Sequence, residues 1–184
     1  MAYHHGQLRA AVLDAAVEVI EADGLGTLSL RDLARRAGVS HAAPAHHFGD
    51  RAGLLTALAA DGYRLLAEAL AAAGGDFREV GVAYVRFAVT HRAHFQVMFR
   101  PDLYRADDPE LVEAQRRAST ILYGGAASLR PDARATGLAA WSLVHGFATL
   151  WNAGVLPDDV GEDVDTAARR IAGILFPRGA DATH

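Results

Sequence analysis

An all-α fold of about nine helices is what this chain of 184 residues predicts. Three observations carry it. Apolar residues recur at three- and four-residue spacing along most of the length, which is the period of a helix with one buried face. Glycine or proline closes most of these runs, as helix ends require. No stretch alternates apolar and polar residues as a half-buried strand would, and no internal repeat or low-complexity tract is present. About half of the residues (51%) are apolar and alanine is abundant, so the chain can bury a substantial core and favours helix while doing so.

Taken in order, "GQLRAAVLDAAVEVIEADG" sets Leu8, Ala11, Val12, Ala15, Ala16, Val19 and Ile20 on one stripe, and Gly24 stops it. Ser29 with Asp32 three residues on resembles a capping arrangement for a short second helix, whose Leu30, Leu33, Ala34 and Ala37 face inward and which Gly38 ends. Val39 can fill the space between helices, and Ser40 can cap a third one from His41 to about Phe48. Asp50 caps a longer fourth helix with Leu54, Leu58, Leu65, Leu66, Ala69 and Leu70 on its buried side, ending at Gly74 and Gly75. "FREVGVAYVRFAVTHRAHFQVMF" reads as a fifth helix to about Arg92 and a shorter sixth to Phe99. "PDLYRADDP" is a loop, and Pro109 suits the first turn of a seventh helix running toward Leu129, weakened or kinked at Gly124 and Gly125. Pro131 opens an eighth that reaches Gly154. Val164, Ala168, Ile171, Ala172 and Leu175 form the stripe of a ninth, stopped by Pro177.

Composition removes several classes of function. There is no cysteine, which excludes disulfides, thiolate nucleophiles and cysteine-ligated zinc. Met1 to Leu8 holds no apolar run, so no signal peptide is visible. The uncharged helical stretch Ala135 to Ala153, which Gly154 closes, is short for a membrane span and carries Ser142, His145 and Asn152. A soluble, cytoplasmic protein without a membrane partner is expected. No Gly-x-Ser-x-Gly elbow, phosphate-cradling loop or zinc-protease motif occurs, so neither an enzyme nor a cofactor is expected. His91 and His94 share a face at three-residue spacing, and His4 and His5 sit near the start, but neither pair has a third ligand, and no metal site is expected.

The spacing from Ala34 to Gly38 is that of two helices crossing steeply. Such a crossing needs a small residue at the contact, here Ala34, and a residue tolerant of positive φ at the turn, here Gly38. The geometry fits a helix-turn-helix that lays its second helix in the major groove of DNA, and it equally fits an αα-corner in a helical core. Charge does not choose between them. The formal net charge is −4, and every basic residue apart from histidine is an arginine. Arg9, Arg31, Arg35, Arg36 and Arg51 gather in the first part of the chain, among Asp14, Glu18, Glu21, Asp23, Asp32 and Asp50.

From about Tyr3 to Leu55 the chain resembles the TetR family of one-component transcriptional regulators. "YHHGQLRAAVLDAAVEVIEADG" looks like that family's first helix, and "LSLRDLARRAGVSHAAPAHHFGDRAGLL" its helix-turn-helix with the start of the fourth helix. "AAWSLVHGFATLWNAG" looks like the Trp-His-Gly segment of one group of its C-terminal regulatory domains. The resemblance implies a DNA-binding domain over 1–50, a ligand-binding and dimerisation domain over 51–178, and a tail over 179–184. It puts Ser29, Arg31, Ser40 and Arg51 toward phosphates of double-stranded operator DNA. His41, Ala42 and His46 fall on the recognition helix, and His47 and Phe48 match its closing pair, with Phe48 in the core. Two departures stand out: Ala45 occupies the place of a backbone-touching tyrosine, and Pro44 lies inside the recognition helix, where only the first turn tolerates it.

For the rest of the chain, the resemblance implies a homodimer and a small-molecule effector. Leu138 to Trp151 carries no Asp, Glu, Arg or Lys on any face, so a partner is expected to cover what its own chain leaves open, with the ninth helix completing a two-fold seam. Effector candidates on the fifth and sixth helices are Phe77, Tyr84, Phe87, His91, Phe95, Met98 and Phe99. Tyr123, Trp141 and His145 join them from the seventh and eighth, giving an apolar lining with a few polar tips for an apolar or aromatic ligand. The expectation is a ligand-responsive repressor on a palindromic operator. The rival is a helical small-molecule-binding or scaffold protein whose head no longer holds DNA.

Overall fold

The computed structural model describes residues 2–124, 132–160 and 163–175. Among these the chain is all-α, with nine α-helices. They are α1 (Ala2–Asp23), α2 (Leu30–Arg36), α3 (Ala43–Phe48), α4 (Arg51–Ala72), α5 (Phe77–Thr90), α6 (Arg92–Met98), α7 (Pro109–Gly124), α8 (Ala133–Ala153) and α9 (Val164–Leu175). Single 3₁₀ turns lie at Leu25–Thr27 and Asp158–Val160. The expected ends at Leu129, Pro131 and Pro177, and the tail, lie outside the described residues.

The chain divides into two compact units. The first comprises residues 1–64 and 91–115. Its core joins Val12, Ala16, Val19 and Ile20 of α1 to Leu33 of α2, Phe48 of α3 and Leu54, Leu55 and Leu58 of α4. Ala93 and Val97 of α6, Tyr104 and Leu111 close the same cluster. The second unit comprises 65–90 and 116–184. There α5, α8 and α9 pack on one another, with Val80, Ala83, Tyr84, Phe87 and Ala88 of α5 buried between them.

Local chemistry sets most of the helix ends. Asp50 caps α4 by accepting from the Gly53 N–H at 2.8 Å, as its position predicts, and its second oxygen takes the Arg105 guanidinium at 2.9 Å. Asp108, ahead of Pro109, accepts from the N–H groups of Glu110 and Leu111, while Asp132 accepts from Ala135 and Asp163 from Thr166. Proline at the first helical position leaves no amide wanting a partner. α5 stops at Thr90, two residues earlier than its apolar pattern predicts, because His91 leaves helical geometry at φ −120°, ψ 51°.

Two caps expected from the sequence do not form. Ser29 stands at the N-cap of α2 but makes no side-chain capping bond, and Asp32 instead pairs with Arg35 at 3.2 Å. α3 begins at Ala43, not His41, and its N-cap is Ala42 in place of Ser40. The cause is Pro44. A helix opening at His41 would send the N–H of residue 44 back to the Ser40 carbonyl, and proline has none. The Ala43 N–H takes that carbonyl at 3.0 Å in a tight turn, and the His46 N–H then bonds the Ala42 carbonyl at 2.9 Å. Pro44 thus sits in the first turn, where its missing donor costs least.

Candidate nucleic-acid interface

The turn between α2 and α3 follows from Gly38, which takes φ +65°, a conformation that side chains rarely adopt. A Cβ there would meet nothing within 4 Å, so backbone angle and not space selects glycine. Around it the Ala37 N–H bonds Leu33, Gly38 bonds Arg35 and Val39 bonds Ala34, which consumes the last carbonyls of α2. Ala34 and Leu33 are fully buried at the crossing, and Val39 packs on the core as the plug its position predicts.

α3 is two-faced. Pro44 and Phe48, four residues apart, are buried, whereas Ser40, His41, Ala42, Ala45 and His46 are exposed and His47 is half-buried. The Phe48 ring also lies 6.0 Å under the Arg9 guanidinium. The short helix is therefore pinned by its inner side, and its outer side is a small, nearly flat surface of alanines and imidazoles.

The arginines of this unit are largely engaged. Arg35 meets Asp32 at 3.2 Å, Arg36 meets Asp23 at 3.5 Å and Arg9 approaches Glu110 at 3.9 Å. Arg51 donates to the Leu25 carbonyl at 2.9 Å, tying the start of α4 to the 3₁₀ turn that follows α1. Arg31 is exposed, with no ion pair among the described residues. Exposed pairs of this kind exchange partners at little cost, so the side chains remain available to a phosphate.

The ten expected effector residues fall in both units. In the first, the Phe95 and Phe99 rings meet edge to face at 5.2 Å, and Phe99 meets Tyr63 at 6.1 Å. Met98 is buried, and its carbonyl accepts from both Tyr63 (3.1 Å) and Tyr104 (2.9 Å). Burial pushes the Tyr63 phenol up to about 12. The His91 ring lies 6.0 Å from that of His94, whose Nε2 faces Asp61 at 3.3 Å. The His94 hydrogen bond holds the Asp61 carboxyl below its ordinary range, with Arg64 assisting. Asp61, Tyr63 and Tyr104 escape a reading of the sequence, because nothing local marks their partners.

In the second unit, Tyr84 is fully buried at the centre of a polar chain. The Trp141 indole N–H donates to its oxygen at 3.1 Å, and the same oxygen lies 2.9 Å from His145 Nδ1. An indole can only donate, so Tyr84 accepts from Trp141, and the imidazole tautomer sets the direction of the bond between the phenol and Nδ1. Phe87 is buried nearby, and the Tyr123 ring stands edge-on to Trp141 at 6.4 Å. Phe77, Val80, Gly81, Leu122 and Val144 line an apolar cleft beside Trp141, with a volume of about 20 Å³, room for one water.

Burial lowers the His145 pKa from its ordinary 6.5. An unfolded imidazole takes up a proton below about 6.5 while the folded one resists, so this contribution to stability is complete above that pH and declines as the pH falls through it. Thermal melts at pH 7.5 and 5.5 should show a smaller acid loss in His145→Gln than in the wild type; equal losses would assign the effect elsewhere.

Among the described residues no group of three His, Asp or Glu side chains could hold a metal ion, and no helix is long and apolar enough to cross a membrane. Comparison with known proteins places this geometry. Residues 12–58 match the model of "Bacterial regulatory proteins, tetR family", and residues 77–175 that of "Tetracyclin repressor-like, C-terminal domain". A protein of unknown function from Rhodococcus sp. RHA1 is 35% identical, with a TM-score of 0.79, covering 94% of this chain and 95% of its own. The transcriptional regulator LfrR from Mycobacterium smegmatis, in complex with proflavine, superposes with a TM-score of 0.61 at 21% identity, covering 92% and 94%. Among curated proteins, the HTH-type transcriptional regulator BetI of Klebsiella pneumoniae (strain 342) is 27% identical, covering 78% of this chain and 80% of its own. A C-terminal match that spans more than half the chain, joined to a helix-turn-helix at the front, fixes the lineage: the chain belongs to the TetR family of DNA-binding transcriptional regulators and is not an enzyme.

Proposed function

We propose that the protein is a homodimeric, ligand-responsive repressor that straddles a palindromic operator. The reading is carried by the division of α3 and the turn before it into a buried side, Pro44 and Phe48, and an outward side, His41, Ala42, Ala45 and His46. Ser29, Arg31, Ser40 and Arg51 reach phosphates, and His41, Ala42 and His46 read base edges, with His47 at the rim. Ala45 forgoes a backbone contact, so affinity rests on fewer phosphates than a tyrosine would give.

Dimerisation through α8 and α9 is favoured by the apolar surface they leave in solvent. Leu138 is 52% exposed, Leu150 47% and Ile174 75%, and a Cβ at Gly146 would meet nothing within 4 Å, which leaves room for a second helix. Trp141, His145 and Gly146 support placing this half in the Trp-His-Gly group. The effector is apolar or aromatic and is read by the polar tips of Tyr84, His145 and Trp141 with Phe87 and Tyr123. Its binding shifts the dimer between head spacings that fit and misfit DNA, which requires about 1–3 kcal/mol of coupling.

The test is a gel shift on the duplex flanking its own gene. Protection should span two half-sites one helical turn apart, and affinity should fall about 10³-fold or more between 50 and 200 mM salt if six or more phosphates are neutralised. A flat salt response, or no retardation at micromolar protein, would overturn the reading. Proflavine, the ligand of LfrR, serves as a first effector probe.

A further inference from the structure

We infer that DNA binding by this protein is coupled to proton uptake, with His41 and His46, set toward the base edges, adding positive charge within the field of the flanking phosphates. The inference rests on the DNA-binding reading of α3 and adds a regulator, the proton, to that same site.

Three observations converge. The outward side of α3 and of the turn before it offers only alanine, serine and imidazole, with His41 and His46 both exposed. The chain has no lysine, so apart from arginine only histidine can bring charge to this surface. Each neighbouring arginine must exchange a partner within the protein to meet a phosphate, Arg35 leaving Asp32, Arg36 leaving Asp23, Arg9 leaving Glu110 and Arg51 leaving the Leu25 carbonyl.

The groups around the two histidines do not neutralise them. α1 and α2 pack against α3. α1 brings Arg9, Asp14, Glu18, Glu21 and Asp23, α2 brings Arg31, Asp32, Arg35 and Arg36, and Asp50 and Arg51 follow at the start of α4. Among the described residues none of these forms an ion pair or hydrogen bond with His41 or His46, and Asp23, Asp32 and Asp50 already hold Arg36, Arg35 and Arg105. His47 is the ring neighbour of His46, edge to face at 5.6 Å.

An imidazole titrates near neutrality, and a phosphate brought beside it favours its charged form. Duplex DNA presents one phosphate charge for every ~1.7 Å of its axis, so docking α3 raises the proton affinity of both rings. By linkage, protons taken up on binding make binding tighter as the pH falls. The sign is opposite to that of fold stability, which declines toward acid pH through His145.

The experiment is fluorescence anisotropy of the full chain on a labelled duplex from the flank of its own gene, at pH 8.0 and 6.0 and several salt concentrations. Far-UV circular dichroism checks that each variant is folded at both pH values. Wild-type affinity should rise about tenfold or more from pH 8.0 to 6.0, and its salt slope should steepen by about 0.9 for each proton that meets a phosphate. His41→Gln with His46→Gln should abolish most of both changes. His41→Arg with His46→Arg should bind at pH 8.0 about as the wild type does at 6.0, with little pH response. Binding that varies less than twofold with pH, or a pH response retained in the double glutamine variant, overturns the coupling and leaves DNA binding standing. No binding at either pH overturns both.

Discussion

Gly53→Ala should destabilise the protein by about 3 kcal/mol, the upper part of what overpacking usually costs, although it replaces a poor helix former by the best one inside α4. Propensity alone would predict a gain of about 1 kcal/mol. Sterics oppose it, because a Cβ at Gly53 would stand 1.9 Å from the Phe48 carbonyl oxygen and 3.1 Å from its carbon. That carbonyl cannot yield cheaply, since it accepts the Asp50 N–H at 3.0 Å and forms the corner between α3 and α4. The Gly53 N–H is also the group Asp50 caps. For a chain of this size the melting temperature should fall roughly 6–12 °C. A variant that melts at or above the wild-type temperature would show that the corner has room to relax.

Phe48→Ala should cost about 3–5 kcal/mol and abolish DNA retention. Phe48 is a buried anchor of a six-residue helix, joining α1 and α4 in one core cluster and carrying Arg9 on its ring face. A helix this short cannot hold itself together in water, so its geometry comes from that anchor and from Pro44. His46→Gln, on the opposite side of the same helix, should stay within about 0.5 kcal/mol of the wild type. Chemical denaturation separates them. Equal midpoints for the two variants would mean that α3 is not pinned from inside.

What the sequence made legible was whatever one turn of chain can decide. The α1 stripe, the Asp50 cap and the Gly38 turn each depend on residues within four positions, and each forms as read. The start of α3 was missed because Pro44 counts twice, as a tolerated first-turn residue and as the donor the Ser40 carbonyl lacks. The family resemblance marks Arg51 for phosphate, but its bond to Leu25 spans 26 residues and has no local signature. Tyr63 and Met98, 35 residues apart, and Asp50 and Arg105, 55 apart, are likewise joined only by the fold. The apolar candidates could not be sorted into core and cleft by type, since Trp141 and Phe87 look alike until their neighbours are known.

The core of the first unit takes Ala93, Val97, Tyr104 and Leu111 from a segment well downstream of α3. A chimaera that grafts only residues 1–50 onto another regulator would carry a wound where those side chains belong. Anyone wishing to transplant its operator preference must therefore move two separate stretches together, or exchange only the outward residues of α3 and leave their foundations in place.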